Sequence, residues 1–444
     1  MTIPSQKQVR VWQGLVLAAS VPVMMYGFSS GPPIARTGAL VDGGLNCTAC
    51  HRTFAPANSG SGRVSVSTVS YTPGVKQTIT VMVEDPDAQR WGFQLTARLR
   101  SDENKEAGTF SVTDGMRVRC APDGRAAPCD GDKEFAEHVA AGTQLGTRGH
   151  GMFTVEWTPP AQDVGEVIFY AAGNAANGDG TNNGDHIYTT SKVLRPACNV
   201  TQKPSVTGVS DAASFRAAIA PGGMISIFGG PFSSSDGFFR AASSDLDAGK
   251  VPTEFGCVEV EIGGLKAPVF FVSKNQINAQ APLLNVTGPV EVSVSLNSGG
   301  QSMRSDAAKV AVSFTAPAFF TFDGKRVAAL NVSRDNAVLA GDNAAKPGDI
   351  VSVYGTGFGL TNPVWQPGEF PDVQSPLRDP PIVTVGGITL ASGDVLYAGA
   401  SADAPGLYQL NLRLPATLPD GDAAVVARMG GQETQPGTVL AVRR

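Results

Sequence analysis

The segment PGGMISIFGGPF at residues 221–232 returns at 347–358 as PGDIVSVYGTGF. An internal repeat of this kind constrains the fold more than any single motif, because each copy must build its own supersecondary unit. In both copies a serine separates two β-branched residues: Ser226 between Ile225 and Ile227, Ser352 between Val351 and Val353. That period of two is a strand signature, and glycine turns close it. Downstream, VEVEIGGLKAPVFFVSKNQINAQAP is answered by VTVGGITLASGDVLYAGASADAPGLYQLNLRLP. Each copy then ends in further strands, EVSVSL and KVAVSF in the first, AVVARM and TVLAV in the second. Short strands with frequent turn signals point to two small immunoglobulin-like sandwiches, over residues 204–317 and 318–444. Gly355-Thr-Gly-Phe-Gly mimics a dinucleotide fingerprint, but Leu360 and then Thr361-Asn362-Pro363 follow it instead of a helix, so it reads as a strand end.

The rest of the chain carries the same pattern. RVSVSTVSYTPG, QTITVMVED, WGFQLTARLR, GMFTVEWTPP and GEVIFYAAGNA alternate or run apolar between turns, from about residue 63 to Cys198. Helical spacing is credible only over Lys133–Ala141, for barely two turns. With 52 Gly and 31 Pro in 444 residues, long helices are excluded. The fold class expected is all-β: three consecutive immunoglobulin-like sandwiches. Charged residues are 16% and the net charge is −5, which argues against sequence-independent nucleic-acid binding.

Lys7 and Arg10 precede an uncharged apolar run from Val11 to Phe28, interrupted by Pro22. A basic start before such a run reads as an export signal over residues 1–30, either cleaved near Ser29 or kept as an anchor. Six cysteines suit export. Cys120 and Cys129 flank a turn-rich loop that a bridge could close, which would leave Cys198 and Cys257 as a pair; sequence alone does not fix that connectivity.

Residues 31–200 form the first unit, and it opens with Cys47-Thr48-Ala49-Cys50-His51. CxxCH is the attachment signature of c-type haem: two thiols reach the vinyl groups and the adjoining His51 reaches iron. The competing reading is a local Cys47–Cys50 disulfide; a zinc site is less attractive, because Cys50 and His51 are adjacent and no second CxxC or HxxxH completes a tetrahedral set. A sixth iron ligand would come from His138, His150 or His186, or from Met82, Met116 or Met152. No HExxH, GxSxG or P-loop is present, so no enzyme is expected. Asn177–Asp185 is rich in oxygen donors but lacks EF-hand spacing, and reads as a glycine-rich turn.

The ordered series TGALVDGGLNCTACH, SYTPG, WGFQLTAR, AGTF, EHVAAGT, FTVEWTPP, VIFYAAGNAANGDG and GDHIYTT resembles the bacterial reelin-like domain called choice-of-anchor V. The resemblance covers about residues 31–195 and implies a CTSCH-like element before the sandwich, matched by Cys47, Cys50 and His51. It also implies a histidine in a segment like EHVAAGT, which singles out His138. Segments DAASF, IAPGGMISIFG, APVFFVSKNQINAQAP and APAFF resemble TIG-like sandwich domains of secreted bacterial proteins, commonly spacers or adhesion modules. The expectation is an exported bacterial protein of the periplasm or cell surface with one covalent haem c. Cys47, Cys50 and His51 would hold the haem, with His51 and His138 on iron, passing single electrons to redox partner proteins or other surface components. The alternative is a haem-free secreted binding or structural protein of immunoglobulin-like modules with a Cys47–Cys50 disulfide.

Overall fold

The computed structural model describes residues 30–444 apart from 55, 69, 200, 299 and 342. The export segment expected over residues 1–30 therefore lies outside the described residues, save its last position. The fold is all-β, with six sheets arranged in three successive sandwiches. No helix among the described residues is long and apolar enough to cross a membrane.

The first sandwich contains β1 (Arg63–Ser67), β2 (Gln77–Asp85), β3 (Arg90–Leu99), β4 (Asp102–Glu106) and β5 (Thr109–Ser111). It continues with β6 (Met116–Cys120), β7 (Glu134–His138), β8 (Gly149–Thr158), β9 (Val167–Ala176) and β10 (His186–Leu194). One sheet has the order β1-β2-β8-β5; the other runs β10-β9-β3-β7-β6, with β4 beside β3. Alternation places Ile79, Val81 and Val83 of β2 and Phe153, Val155 and Trp157 of β8 inward. Trp157 meets Phe169 of β9 edge-on at 5.0 Å, and Phe93 of β3 stacks on Phe153 at 4.3 Å. These aromatic contacts join the sheets.

Strands β3 and β7 do not alternate; Trp91–Arg98 and Glu134–His138 are buried on both faces. The cause is the segment before β1, which lies across their outer face. Gln94 Oε1 accepts from Arg36 N at 2.6 Å, and Gln94 Nε2 donates to Pro33 O at 3.0 Å. Arg98, 0% exposed, pairs with Asp42 and Glu106 at 2.9 Å each, while Lys133 also reaches Asp42. Buried charges persist only when paired in this way. Double-sided burial also explains why the helix expected over Lys133–Ala141 is absent: EFAEH is a strand between β3 and β6, and only Ala140–Gly142 makes a single 3-10 turn. A strand covered on both faces loses its period of two, so spacing alone misreads it.

Cys120–Cys129 and Cys198–Cys257 are disulfides, with Cα–Cα distances of 5.3 and 5.9 Å. The second ties the linker after β10 to the next sandwich. Arg195 reinforces that junction, bridging Glu166 and Asp245 at 2.7 and 2.6 Å.

In the repeated half, Met224–Gly230 and Ile350–Thr356 are interior strands of their respective sandwiches. Ile225 and Ile227 enter one core, Val351 and Val353 the other. The two sandwiches touch through polar bonds. Met224 N donates to Thr356 Oγ1 at 2.7 Å and Gly368 N donates to Gln280 Oε1 at 2.7 Å. At the end of the second copy, Gly357 has φ +75°, and a Cβ there would lie 2.1 Å from Ala316 O. Its glycine serves a close backbone approach.

Candidate functional site

The CxxCH element forms a tight turn. Asn46 Oδ1 accepts from Thr48 N at 2.9 Å, capping a 3-10 turn over Cys47–Ala49. Cys50 N and His51 N both donate to Cys47 O, at 3.2 and 3.0 Å. The loop between β9 and β10 clasps this turn: Asn182 Nδ2 donates to Cys50 O at 2.8 Å and Gly184 N to Thr53 Oγ1 at 3.1 Å. In that loop Asp179 Oδ1 accepts from Thr181 N and Thr181 Oγ1. The oxygen-rich stretch of residues 177–185 thus satisfies its own backbone and holds the CxxCH turn.

His51 Nδ1 lies 2.7 Å from Oδ2 of Asp185, whose side chain is 1% exposed. The other Asp185 oxygen accepts from Asn177 N at 3.2 Å. An acceptor-only carboxylate requires a hydrogen on Nδ1, and it leaves Nε2 facing Asn174. Asn174 Nδ2 approaches that Nε2 at 3.3 Å, while Asn174 Oδ1 is buried without a donor.

His138 ends β7 and packs flat against Gly92, where a Cβ would stand 2.6 Å from its Cε1. Phe93 N lies 3.0 Å from His138 Nδ1. The same Nδ1 lies 3.1 Å from Phe93 O, so it either accepts from the amide or donates to the carbonyl, and the tautomer follows which of the two it does. His138 is 8% exposed, and burial holds its pKa down at about 4, helped by the charges of Arg117 and Arg90. At neutral pH it is uncharged.

Cys47 and Cys50 are unpaired and half-buried, so the local disulfide weighed from the sequence is not formed. Burial, with Cys50 beside it, pushes the Cys47 thiol up to about 12, far from the thiolate that attacks electrophiles. Cys47, Cys50, His51 and His138 all line one cleft of about 180 Å³, with Trp91, Phe93, Pro32 and Pro33 as its apolar wall. The other candidates stand elsewhere. His150 is exposed on β8, and His186 pairs with Asp85 at 2.8 Å, where Tyr188 Oη also donates at 2.6 Å. Neither these histidines nor Met82, Met116 and Met152 line the cleft.

The free thiols and the Asp185-oriented His51 are suited to a covalent haem. The remaining geometry is not. A cleft of about 180 Å³ is below the roughly 300 Å³ at which pockets for drug-sized ligands begin. Among the described residues no three His, Cys, Asp or Glu side chains converge to hold a bare metal ion, a group that haem iron with its four porphyrin nitrogens does not require. While the segment before β1 stays docked, the cleft is too small for the group.

Residues that spacing could not reveal are Asp185 and Asn174, which face His51, and Arg36 and Arg90 at the cleft. Asp185 and Asn174 lie in GDHIYTT and GNAANGDG, segments that carried the family resemblance, but no local signal names a partner more than a hundred residues away.

Residues 46–174 match the family model described as the Reeler domain. Among solved structures, the human F-spondin reeler domain is 20% identical, with 32% of this chain and 92% of that chain covered, at a TM-score of 0.22. The seventh ScaB type I cohesin from Pseudobacteroides cellulosolvens is 10% identical, with 32% and 96% covered, at 0.21. An uncharacterized Nocardia farcinica protein with an immunoglobulin-like fold is 15% identical, with 32% and 89% covered, at 0.18. A comparison with curated proteins gave no match.

Proposed function

We propose that a Reeler-type first sandwich, matched over residues 46–174, serves here as the binding module of an exported, haem-free, non-enzymatic protein of the cell surface. The observation that carries this reading is the cleft at the end of that sandwich. It is walled by a docked segment, lined by the protonated Cys47 thiol and by His51 and His138, and too small for a haem. The two disulfides suit an oxidising compartment outside the cytoplasm. The two following sandwiches, bonded to one another through Thr356 and Gln280, act as spacers that hold the first away from its attachment.

Intact mass of the denatured protein from its native host tests this directly. The expected value is the polypeptide less the hydrogens lost to its disulfides. The purified, fluorescently labelled protein should also sediment saturably with cells of that host. A haem-sized increment or the absence of saturable binding overturns the reading. The rival is a c-type haem on Cys47 and Cys50, favoured by one observation, the orientation of His51 by Asp185. It requires the segment before β1 to leave β3 and β7, and it predicts that mass increment together with a haem absorption band.

A further inference from the structure

We infer that the cleft beside the CxxCH turn is a site for a small organic carboxylate with an apolar body, an inference that rests on the binding-module reading above. Charge is the first reason. Arg36 and Arg90 both line the cleft, and neither has a carboxylate partner among the described residues. Arg36 Nη1 bonds only the carbonyls of Ile34 and Ala35, at 3.4 and 3.1 Å, and the Arg90 side chain is half-buried without a hydrogen bond. The one carboxylate in the lining, Asp185, is committed on both oxygens to His51 and Asn177. The cleft therefore carries two cations whose charge nothing inside it answers.

The second reason is the donor geometry. His138 also lines the cleft, with Nδ1 taken up by the Phe93 backbone and Nε2 without a hydrogen bond to any described residue. Two guanidinium groups suit a planar anion, because guanidinium matches carboxylate bidentately.

Shape sets the rest. A cleft of about 180 Å³ has room for a small ligand such as a single ring or a short branched chain. Pro32, Pro33 and Ala49 supply surface on which an apolar body sheds water, while Trp91 and Phe93 line the cleft but are 1% exposed and add little. A bare phosphate would leave that wall unused.

The test is calorimetric titration of the whole exported chain with benzoate, with benzamide as the neutral analogue, and with a peptide ending in phenylalanine whose carboxyl is free or amidated. Benzoate should bind at one site and benzamide about tenfold more weakly or worse, since a hydrogen bond to a charged group is worth about 1.5–3 kcal/mol. Arg90→Gln and Arg36→Gln should each weaken benzoate by about tenfold while the first sandwich melts at the wild-type temperature. Binding of the free-carboxyl peptide, lost on amidation, would assign the carboxylate to a chain terminus; its absence beside benzoate binding assigns a free acid. Equal affinity for benzamide, indifference to both arginine substitutions, or no binding by benzoate and either peptide overturns the proposal. Those outcomes leave the binding-module reading standing, because cell sedimentation and intact mass decide that separately.

Discussion

The depressed pKa of His138 makes the first sandwich lose stability in mild acid, and replacing His138 with Asn should remove that loss. In the folded protein the imidazole titrates at about 4, against 6.5 when unfolded, because burial opposes its charge. Above pH 6.5 both states are neutral and the group contributes no slope. As pH falls through 6.5 the unfolded chain takes up a proton that the folded protein refuses until about pH 4, so stability falls across that window. The gap of about 2.5 between the two pKa values, at about 1.36 kcal/mol each, is worth about 3.4 kcal/mol in full. Between pH 7.5 and 4.5 the expected share is about 2.5 kcal/mol. Urea denaturation read from Trp91 and Trp157, with Trp12 and Trp365 replaced by Phe, isolates this domain. Other groups titrate in both proteins and cancel, so the wild-type curve should fall about 2.5 kcal/mol further than that of His138→Asn. Parallel curves would refute the argument that His138 is buried and neutral, and with it the placement of the segment over β7.

The ion cluster beneath the same segment makes a second prediction. Arg98→Met strands Glu106 and half of the contacts of Asp42 in a buried place, and should cost about 3–5 kcal/mol and expose residues 31–51 to proteolysis first; a loss under about 1 kcal/mol would mean that the cluster does not hold the segment. Replacing Cys198 and Cys257 together by Ser opens a loop of sequence separation 59, which a chain-entropy account values at about 4 kcal/mol. The loss should appear in the melting of the second sandwich and leave the first unchanged, and a shift confined to the first sandwich would contradict the separate cores.

How much of this protein could be read from residues alone depended on the range of the forces involved. The repeated strands around Ser226 and Ser352 were legible because serine alternates with β-branched residues there, a period of two that survives although both faces are buried, since the serines bond Asn278 and Asn411 on neighbouring strands. The all-β class followed from glycine, proline and short alternating runs, and the identity of Cys47, Cys50 and His51 as a local unit followed from their spacing. Strand β7 was misread as helix because burial on both faces erases alternation, and that burial comes from residues 31–50, a segment whose docking no local pattern announces. The same holds for the site. Sequence named His51 and His138, but only the tertiary structure placed Asp185 on His51 across 134 residues, gave Nδ1 of His138 to the Phe93 backbone, and left Arg36 and Arg90 unanswered around a small apolar cleft. Local sequence fixes which backbone conformation is cheap; which nitrogen carries a proton, and which charge lacks a partner, depend on groups that meet only when the sheets close.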